Sequence, residues 1–348
     1  MSFLKRLFQS TNILIEINDD IFKVALAEKN KNDTIKIKNI KRLRIKEEQP
    51  RKKQITQFLT KYIKKNDLKM KNNNIYTTLS NEQDLFSNII EISGNIKEKN
   101  LRKAISSNFD KYFPYQNNKN INDVQFDYHI LEKDPNYKIL LATIQKKHIL
   151  SYMNDIIFSA KYNFYNIHVK SLVLTSLIDK KPNTKAVLNV SKNKSFFTVV
   201  SNGEYKFSKT IDIGKNDFLQ CLSQHKSQDM KDIEIENNYF REMGKGEDVA
   251  ITDLMSNNDE INEDFIEIGN DILRELDISI AYFNNEYQTT IDKLYITENQ
   301  IKIPGLSNYL KNHLEVEVGE IKNKDVGIES KEDINENAIL FSTALSYM

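Results

Sequence analysis

Cysteine and glycine are scarce in this 348-residue sequence, and each scarcity excludes a class of protein. The single cysteine, Cys221, cannot form an intrachain disulfide, so the chain is not a disulfide scaffold. With only nine glycines, the sequence contains no G-x-G-x-x-G, G-x-x-x-x-G-K-[ST] or G-x-S-x-G motif. Rossmann, Walker A and hydrolase-elbow sites are therefore disfavoured.

Long apolar runs and an excess of charge of either sign are also missing. No stretch of eighteen apolar residues and no secretory signal is present, which predicts a cytoplasmic protein. The 50 Lys and Arg residues balance 49 Asp and Glu, so no global field indicates a nucleic-acid binder. The five histidines have no metal-ligand spacing, so no metal centre is predicted.

The apolar residues that are present are sufficient for two domains. They make up 39% of the chain, which excludes a wholly disordered protein. Residues 13–28, ILIEINDDIFKVALAE, predict two strands joined by a turn, and residues 34–45 predict a third. Pro50 then introduces an amphipathic helix, and the strand NNIYTTLS follows it.

The same three-strand meander is predicted a second time, at residues 185–213, with Asn202-Gly203 as a hairpin turn. The polar break from Lys180 to Thr184 is interpreted as the boundary between the two halves. Between the meanders, residues 85–160 predict a small α+β subdomain. The repeat indicates an internal duplication.

Two meanders of this kind, each followed by helices, are the plan of the actin/Hsp70/sugar-kinase superfamily, an α/β, RNase H-like fold of two lobes. Three further segments are informative, KYFPYQNNKNINDVQFDYHIL, FTVVSNGEYKFSKTIDIG and LRELDISIAYF. In these segments the sequence more specifically resembles the type IV pilus assembly PilM family, whose members are related to FtsA. The second matches the family's V-x-x-x-G-x-x-x-x-x-R-x-I-x-x-G run, with Lys209 at the Arg position.

The resemblance implies a domain division. The first lobe is expected over residues 1–182, with an inserted subdomain at about 85–165. The second lobe is expected over residues 183–335, with a helical subdomain at about 215–275. Residues 336–348 are expected to form a C-terminal helix that returns to the first lobe.

In the family, glycine-containing turns of both halves hold a nucleotide, and here the glycines are missing. An Asp-Ile-Gly-Ser-Ser-Ser type turn is replaced by the stretch from Glu16 to Lys23, and a second Asp-Ile-Gly by Asn189-Val190-Ser191. Glu298-Asn299 stands where a Gly-Gly is expected. The degenerate positions are Glu16, Asn18, Asp19, Asp20, Lys23, Asn189, Ser191, Glu298 and Asn299.

These departures predict a pseudo-ATPase without a cofactor. A Cβ in place of each glycine costs roughly 1 kcal/mol and blocks the close approach of backbone N–H groups to a phosphate. Asp19 and Asp20 would place negative charge beside a polyphosphate, and Asn189 lacks the carboxylate that could hold Mg²⁺. The alternative is an active ATPase that still binds Mg-ATP through altered turns.

Several residues have two interpretations. Glu16, at a strand end, is either solvated or a water-mediated Mg²⁺ ligand, with solvation the more usual case. Lys23 is interpreted first as an exposed strand lysine, with a contact to phosphate as the alternative. Cys221 lies in a helical stretch without an evident His or Asp partner and is interpreted as a core or surface thiol, not a nucleophile.

The N-terminal residues MSFLKRLF form a candidate membrane-proximal segment. A helix would place Phe3, Leu4, Leu7 and Phe8 on one face and Lys5 and Arg6 on the other, as in a short interfacial anchor. Eight residues are too few to bind a membrane stably alone, because helix nucleation is costly. A frayed leader to the first strand is the favoured alternative.

The resemblance implies a non-catalytic cytoplasmic scaffold of a type IV pilus-like machine, peripheral to the inner membrane. Its expected partner is the cytoplasmic N-terminal tail of a PilN-like bitopic membrane protein, bound near residues 85–165, so that membrane association is mainly indirect. Homo-oligomers or actin-like filaments are a further expectation, and no nucleic acid is expected. The remaining alternative is an FtsA-like tether of a division filament, although the sequence closes on FSTALSYM without a basic residue.

Overall fold

A computed structural model describes residues 11–17, 21–30, 32–46, 48–68, 74–79, 85–112, 124–133, 135–145, 163–178, 183–226, 259–298, 303 and 306–347. The chain divides into two compact units. The first contains Met1–Lys29 and Ile37–Lys170, and the second contains Asn30–Lys36 and Ser171–Met348. Residues 1–10, the turn 18–20 and the predicted helix at 146–162 lie outside the described residues.

The main sheet of the first unit begins with the predicted meander. Its strands are β1 (Asn12–Ile17), β2 (Ile21–Lys29), β3 (Ile35–Arg44), β4 (Asn74–Leu79) and β8 (Asn163–Val169). They lie in the order β3-β2-β1-β4-β8, with β1 antiparallel to β2 and parallel to β4. Asn39 has a φ of 57°, which marks an irregularity within β3.

Helix α1 (Arg51–Lys65) covers one face of this sheet. Its buried side chains Ile55, Leu59 and Tyr62 recur at helical spacing and pack against the apolar residues of β1 and β2. Lys64 and Lys65 lie in the last turn, where positive charge complements the helix dipole. The predicted amphipathic helix after Pro50 is therefore confirmed.

The insert in the first unit is an antiparallel three-stranded sheet in the order β5-β7-β6. Its strands are β5 (Leu85–Ile92), β6 (Val124–Glu132) and β7 (Tyr137–Gln145). Two short helices, α2 (Leu101–Ser107) and α3 (Phe109–Tyr112), pack their apolar side chains on one face of this sheet. The insert therefore has a hydrophobic core of its own, as the predicted α+β subdomain requires.

The sheet of the second unit has the order β11-β10-β9-β12-β13. Its strands are β9 (Thr184–Val190), β10 (Ser195–Ser201), β11 (Glu204–Ile211), β12 (Lys293–Glu298) and β13 (Glu317–Gly319). Asn202 and Gly203 both have positive φ, at 53° and 77°, as a two-residue hairpin turn of the predicted kind requires. Because this order repeats that of the first sheet, the predicted duplicated fold is confirmed.

The remaining helices belong mainly to the second unit. They are α4 (Lys170–Leu174), α5 (Lys215–Lys226), α6 (Asp259–Tyr287), α7 (Leu306–His313) and α8 (Ala338–Tyr347). Helix α6 packs Ile272, Leu276 and Phe283 into the core under the second sheet. A two-residue strand, β14 (Ile328–Glu329), pairs with Ile35 and Lys36. No helix in the described part of the chain is long and apolar enough to cross a membrane.

Candidate functional site

The first candidate position is a buried ion pair between neighbouring strands. Glu16 on β1 stands directly opposite Lys23 on β2 in the antiparallel register. The Nζ of Lys23 lies 3.3 Å from Oε2 of Glu16, and both residues are 0% exposed. Lys23 therefore compensates the Glu16 carboxylate within the core of the first unit.

The burial of this pair corrects two predictions. Glu16 is not solvated at a strand end, and Lys23 is not an exposed strand lysine. The alternation along β1 and β2 directs Ile15 and Val24 towards α1, and it directs Glu16 and Lys23 to the opposite face. That second face is also buried, so charge at these positions requires a partner.

The positions Asn18, Asp19 and Asp20 lie outside the described residues. So do Phe3, Leu4, Lys5, Arg6, Leu7 and Phe8.

The second candidate position is a hydrogen-bonded cluster around Asn189 in the second unit. Asn189 is fully buried, and its Nδ2 donates to Oγ1 of Thr297 over 2.8 Å. The Ser191 hydroxyl donates to Oδ1 of Asn189 over 3.0 Å. Sequence reasoning missed Thr297, which stands opposite Asn189 on the parallel strand β12, 108 residues away. Both Nδ2 and Oδ1 of the Asn189 side chain therefore have hydrogen-bond partners within the protein.

The turn after Asn189 is held by the start of helix α5. The backbone N–H groups of Lys215 and Asn216 donate to the carbonyls of Ser191 and Lys192, over 2.9 and 2.8 Å. The side-chain Nδ2 of Asn216 also donates to Oδ1 of Asn193 over 2.6 Å. Free N–H groups are what make a helix N-terminus an anion site. The N–H groups of Lys215 and Asn216 already donate to carbonyls of the turn.

Gly214 permits this close packing of turn and helix. A Cβ at Gly214 would lie 2.5 Å from the backbone of Asn193 and Lys194. The Gly214 N–H also donates to Oδ2 of Asp217 over 2.7 Å, as in one half of a capping box. The close packing of turn and helix therefore explains the glycine at position 214 without any ligand.

Two further singled-out residues also have internal partners. The Nζ of Lys209, at the family's Arg position, lies 2.6 Å from Oε2 of Glu275 on α6. Cys221 is buried in the core of the second unit, and burial, with the nearby Asp264 charge, raises the pKa of its thiol to about 11. The thiol is protonated at neutral pH, as expected of a core cysteine rather than a nucleophile.

The third predicted position is the pair Glu298-Asn299. Glu298 is the last residue of β12 and pairs in register with Val190. Its predicted neighbour Asn299 lies outside the described residues.

Within the described ranges no three His, Cys, Asp or Glu residues are grouped as a metal site would require. An open depression of about 480 Å³ lies in the second unit between β12, β13 and α7. Its walls include Lys293, Tyr295 and Lys311, and Lys293 is already paired with Glu317. None of the predicted site residues lines it.

A family model for the type IV pilus assembly protein PilM matches residues 15–348. This chain belongs to the PilM family. The matched range includes both clusters described above. Membership confirms the family that the sequence segments indicated.

Solved structures extend the comparison. The PilM-PilN type IV pilus biogenesis complex contains a chain that is similar to this PilM-family chain at 13% identity, with a TM-score of 0.73, covering 96% of this chain and 98% of that one. EutJ from Carboxydothermus hydrogenoformans is similar at 9% identity and a TM-score of 0.49, covering 97% of this chain and 90% of that one. An actin-like ATPase-fold protein from Bacteroides thetaiotaomicron gives 12% identity and a TM-score of 0.46, covering 98% of each chain. No curated protein sequence matches the chain.

Proposed function

We propose that this PilM-family protein is a non-catalytic scaffold of a type IV pilus-like assembly machine. Its partner is the cytoplasmic N-terminal tail of a PilN-like protein of the inner membrane. Family membership and the similarity to a chain of the PilM-PilN complex support this proposal. The scaffold acts at the cytoplasmic side of the membrane, where the tail holds it.

The ion pair of Glu16 and Lys23 is the observation that carries the non-catalytic part of the proposal. A Mg²⁺ ion in a nucleotide site takes oxygen ligands, usually one or two carboxylates together with waters and phosphate. The Glu16 carboxylate instead faces the Lys23 ammonium in a buried setting, with 3.3 Å between their charged atoms. Because the Lys23 ammonium already compensates the Glu16 carboxylate, Mg²⁺ would gain little binding free energy from it.

The cluster at Asn189 supports the same conclusion independently. Its amide is neutral and is committed to Thr297 and Ser191. The N–H groups of Lys215 and Asn216 at the start of α5 donate to the turn that follows, so a phosphate would have to compete with the turn for them. A nucleotide would have to replace these internal hydrogen bonds, and each replaced bond lowers the net gain of binding.

Titration with Mg-ATP tests the non-catalytic part. A ligand at a hundred times its dissociation constant stabilises a protein by about 2.7 kcal/mol, which raises the melting temperature clearly. We expect Mg-ATP to leave the melting temperature of the full chain unchanged. A concentration-dependent rise would contradict the proposal in favour of a working ATPase, and it would not affect the proposal of a tail partner.

Within the predicted region 85–165, we assign the tail to the inserted sheet of β5, β6 and β7. Strand β6 lies at an edge of that sheet and exposes Gln125, Asp127 and His129. An edge strand offers backbone hydrogen bonds to an extended peptide, and neighbouring side chains then select its sequence. The insert also packs a core of its own, which gives the edge a rigid support.

A synthetic peptide with the sequence of that tail, titrated by calorimetry into the full chain, tests the partner. We expect saturable binding, and we expect no binding of a peptide with the same composition in scrambled order. Hydrogen exchange then locates the peptide, because the amides of β6 should become protected while those of β9 and β10 stay unchanged. Absence of binding, or protection confined to the second unit, would overturn the assignment.

A further inference from the structure

Positive charge is concentrated in one short part of this nearly neutral chain. Residues 35–65, which contain β3 and α1, include twelve Lys and Arg and two Glu, a net charge of +10. The whole chain carries +1, so all the other residues together carry the difference, −9. Helix α1 alone has six of the cations and no Asp or Glu. The excess of positive charge therefore belongs to one strand and one helix.

Helix α1 lies alongside β3 and is fixed to it at two places. Near the start of the helix, the Gln54 side chain bonds both the N–H and the carbonyl of Lys46, over 2.9 and 2.7 Å. Further along the helix, the Tyr62 hydroxyl donates to the Asn39 carbonyl over 2.9 Å. The two contacts are about 12 Å apart along the helix axis. Strand and helix therefore form one firm support for the charges that they carry.

The exposed cations on this support form what we call the basic surface. Leu43 and Ile45 of β3 pack against the same apolar core as α1, so the alternate residues Arg44 and Lys46 point away from that core. The members of the basic surface are Lys41, Arg42, Arg44, Lys46, Lys52, Lys53, Lys61, Lys64 and Lys65.

The lysines of α1 include a group on the side of the helix that faces away from the core. Ile55 and Leu59 are fully buried against the first sheet. Lys53, Lys61 and Lys64 are exposed and fall within about 80° of one another around the opposite side, since successive helical residues are about 100° apart. These three lysines therefore present their charge in one direction, to the solvent.

Protection of a sheet edge accounts for only part of the basic surface. Beyond Lys36, no strand within the described ranges pairs with the outer side of β3, and lysines on such an edge discourage the addition of a foreign strand. The charges on β3 serve that purpose. The lysines of α1 do not, because the backbone groups within a helix are already paired. An anionic partner is the explanation that their charge fits.

Two kinds of polyanion match this charge, a nucleic acid and an anionic membrane. Proteins that bind single-stranded nucleic acid stack the bases on exposed aromatic rings. The two aromatic residues of 35–65, Phe58 and Tyr62, instead pack with the core of the first unit. A bilayer requires no such rings, because lysines attract its anionic headgroups from the water phase. A scaffold held by the tail of a membrane protein is also close to the bilayer.

We propose that the basic surface binds the anionic lipid headgroups of the cytoplasmic leaflet directly. The inference rests on the proposed function only for the place where the protein acts. Anionic leaflets have a negative surface potential, which attracts cations that lie within a Debye length, about 8 Å at physiological salt. Long lysine side chains let the ammonium groups reach the headgroups while the strand and the helix stay outside the bilayer.

The direct contact adds a second attachment to the one through the tail. Once the tail is bound, the basic surface meets the headgroups at a high effective concentration, so a contact that is weak alone becomes significant. The two attachments together also fix an orientation, with β3 and α1 turned towards the bilayer. A single attachment through a tail would leave the scaffold free to rotate.

Co-flotation of the full chain with lipid vesicles, without any tail peptide, tests the contact on the unmodified protein. We expect binding to phosphatidylcholine vesicles that contain about one-third phosphatidylglycerol, and at least about tenfold weaker binding to pure phosphatidylcholine. Binding should also weaken by at least about tenfold between about 0.1 M and about 1 M NaCl, since the Debye length falls from about 10 Å to about 3 Å. A chain that floats equally with both kinds of vesicle, or with neither, would overturn the proposal.

Neutralising substitutions locate the contact. The variant K53Q/K61Q/K64Q removes three charges from the basic surface and keeps a good helix former at each position. We expect it to bind the phosphatidylglycerol vesicles at least about tenfold more weakly. The control K99Q/K103Q/K111Q removes the same number of charges from exposed lysines of the insert and is expected to bind like the unmodified chain. Equal losses in the two variants would mean that net charge, not the basic surface, determines binding, and would refute the contact.

Two further results would assign the binding elsewhere. Deletion of residues 2–9 is expected to leave vesicle binding unchanged, and its loss would make the N-terminal segment the lipid ligand instead. A double-stranded DNA fragment that binds through Lys53, Lys61 and Lys64, in a chain that does not bind vesicles, would make the basic surface a nucleic-acid site.

The partner tail is tested separately from the lipid contact. In calorimetry without vesicles, the tail peptide should bind K53Q/K61Q/K64Q and the unmodified chain with equal affinity. Absence of vesicle binding together with intact tail binding would refute the lipid contact alone. Vesicle binding that depends on the three lysines, together with absence of tail binding, would refute the proposed partner and leave the lipid contact standing.

Discussion

The Nζ of Lys23 lies 3.3 Å from Oε2 of Glu16, and both residues are completely buried between strands of the first unit. Isolated charges are very costly in such an environment, and a close partner makes them tolerable. The stability of the first unit therefore depends on the same Glu16 carboxylate that was a candidate Mg²⁺ ligand. A carboxylate that the fold needs as the partner of Lys23 is poorly placed to serve as a metal ligand.

The first prediction concerns this pair. Glu16→Leu or Lys23→Met leaves the other charge buried alone, and each should lower the free energy of unfolding by about 3–5 kcal/mol. The double variant removes both charges and should recover most of that loss. Urea denaturation at neutral pH measures all three. If the double variant lost as much unfolding free energy as the two single variants together, the two residues would not interact.

An exposed ion pair provides the control. Lys194 and Asp212 approach within 2.7 Å, but the Asp212 side chain is 82% exposed. Lys194→Met should change the free energy of unfolding by less than about 1 kcal/mol, because water already solvates both charges.

The second prediction compares two buried threonines of the second sheet. Thr297→Val removes the acceptor of the Asn189 amide and should cost about 1–3 kcal/mol, since a buried donor is left without its bond. Thr198→Val is the matched control. The Thr198 hydroxyl is fully buried and has no hydrogen-bond partner among the described residues, so its replacement should be neutral or stabilising. Thermal unfolding of the two variants distinguishes them, and equal losses would contradict the role of Thr297.

The third prediction concerns Gly214. An added Cβ would meet the backbone of Asn193 and Lys194 at 2.5 Å, so Gly214→Ala should destabilise the protein by about 3 kcal/mol or more. Gly327→Ala is a useful contrast, because Gly327 has a φ of +72° but open space around its Cα. Its cost should be only about 1 kcal/mol, from backbone conformation alone. Similar melting temperatures for both variants would show that the turn is not tightly packed.

The fourth prediction is a pH dependence. Burial raises the pKa of Tyr62 in the folded protein, and its hydroxyl donates to the Asn39 carbonyl. The stability contributed by Tyr62 is therefore complete below the pKa of an unfolded tyrosine, about 10, and is lost as pH rises above it. Tyr62→Phe should be less stable than the unmodified chain by about 1 kcal/mol at pH 7.

That difference should shrink above pH 10 and then reverse, because phenylalanine has no proton to lose. Stability curves of both proteins between pH 7 and pH 11 measure it, and the other tyrosines contribute equally to both. A difference that stays constant with pH would mean that Tyr62 titrates normally in the folded protein.

Much of the fold could be predicted from local patterns. The alternation of apolar residues in 13–28 and the Asn202-Gly203 turn both depend on neighbours in sequence, and the structure places strands and a hairpin there. The helix after Pro50 follows from its own periodicity in the same way. The sequence was also sufficient to show that the glycines of the phosphate turns are missing.

The state of the two charges on the first hairpin could not be predicted, since the alternation of β1 and β2 only places Glu16 and Lys23 on the same face. Whether that face is open to water depends on residues remote in sequence. The link from Asn189 to Thr297 spans 108 residues, and strand pairing alone brings the two together. The sequence by itself determined the strands, the duplication and the lost glycines, because these are local properties. Only the tertiary structure decided which polar groups are buried and with whom they pair, because burial is a property of the whole packed chain.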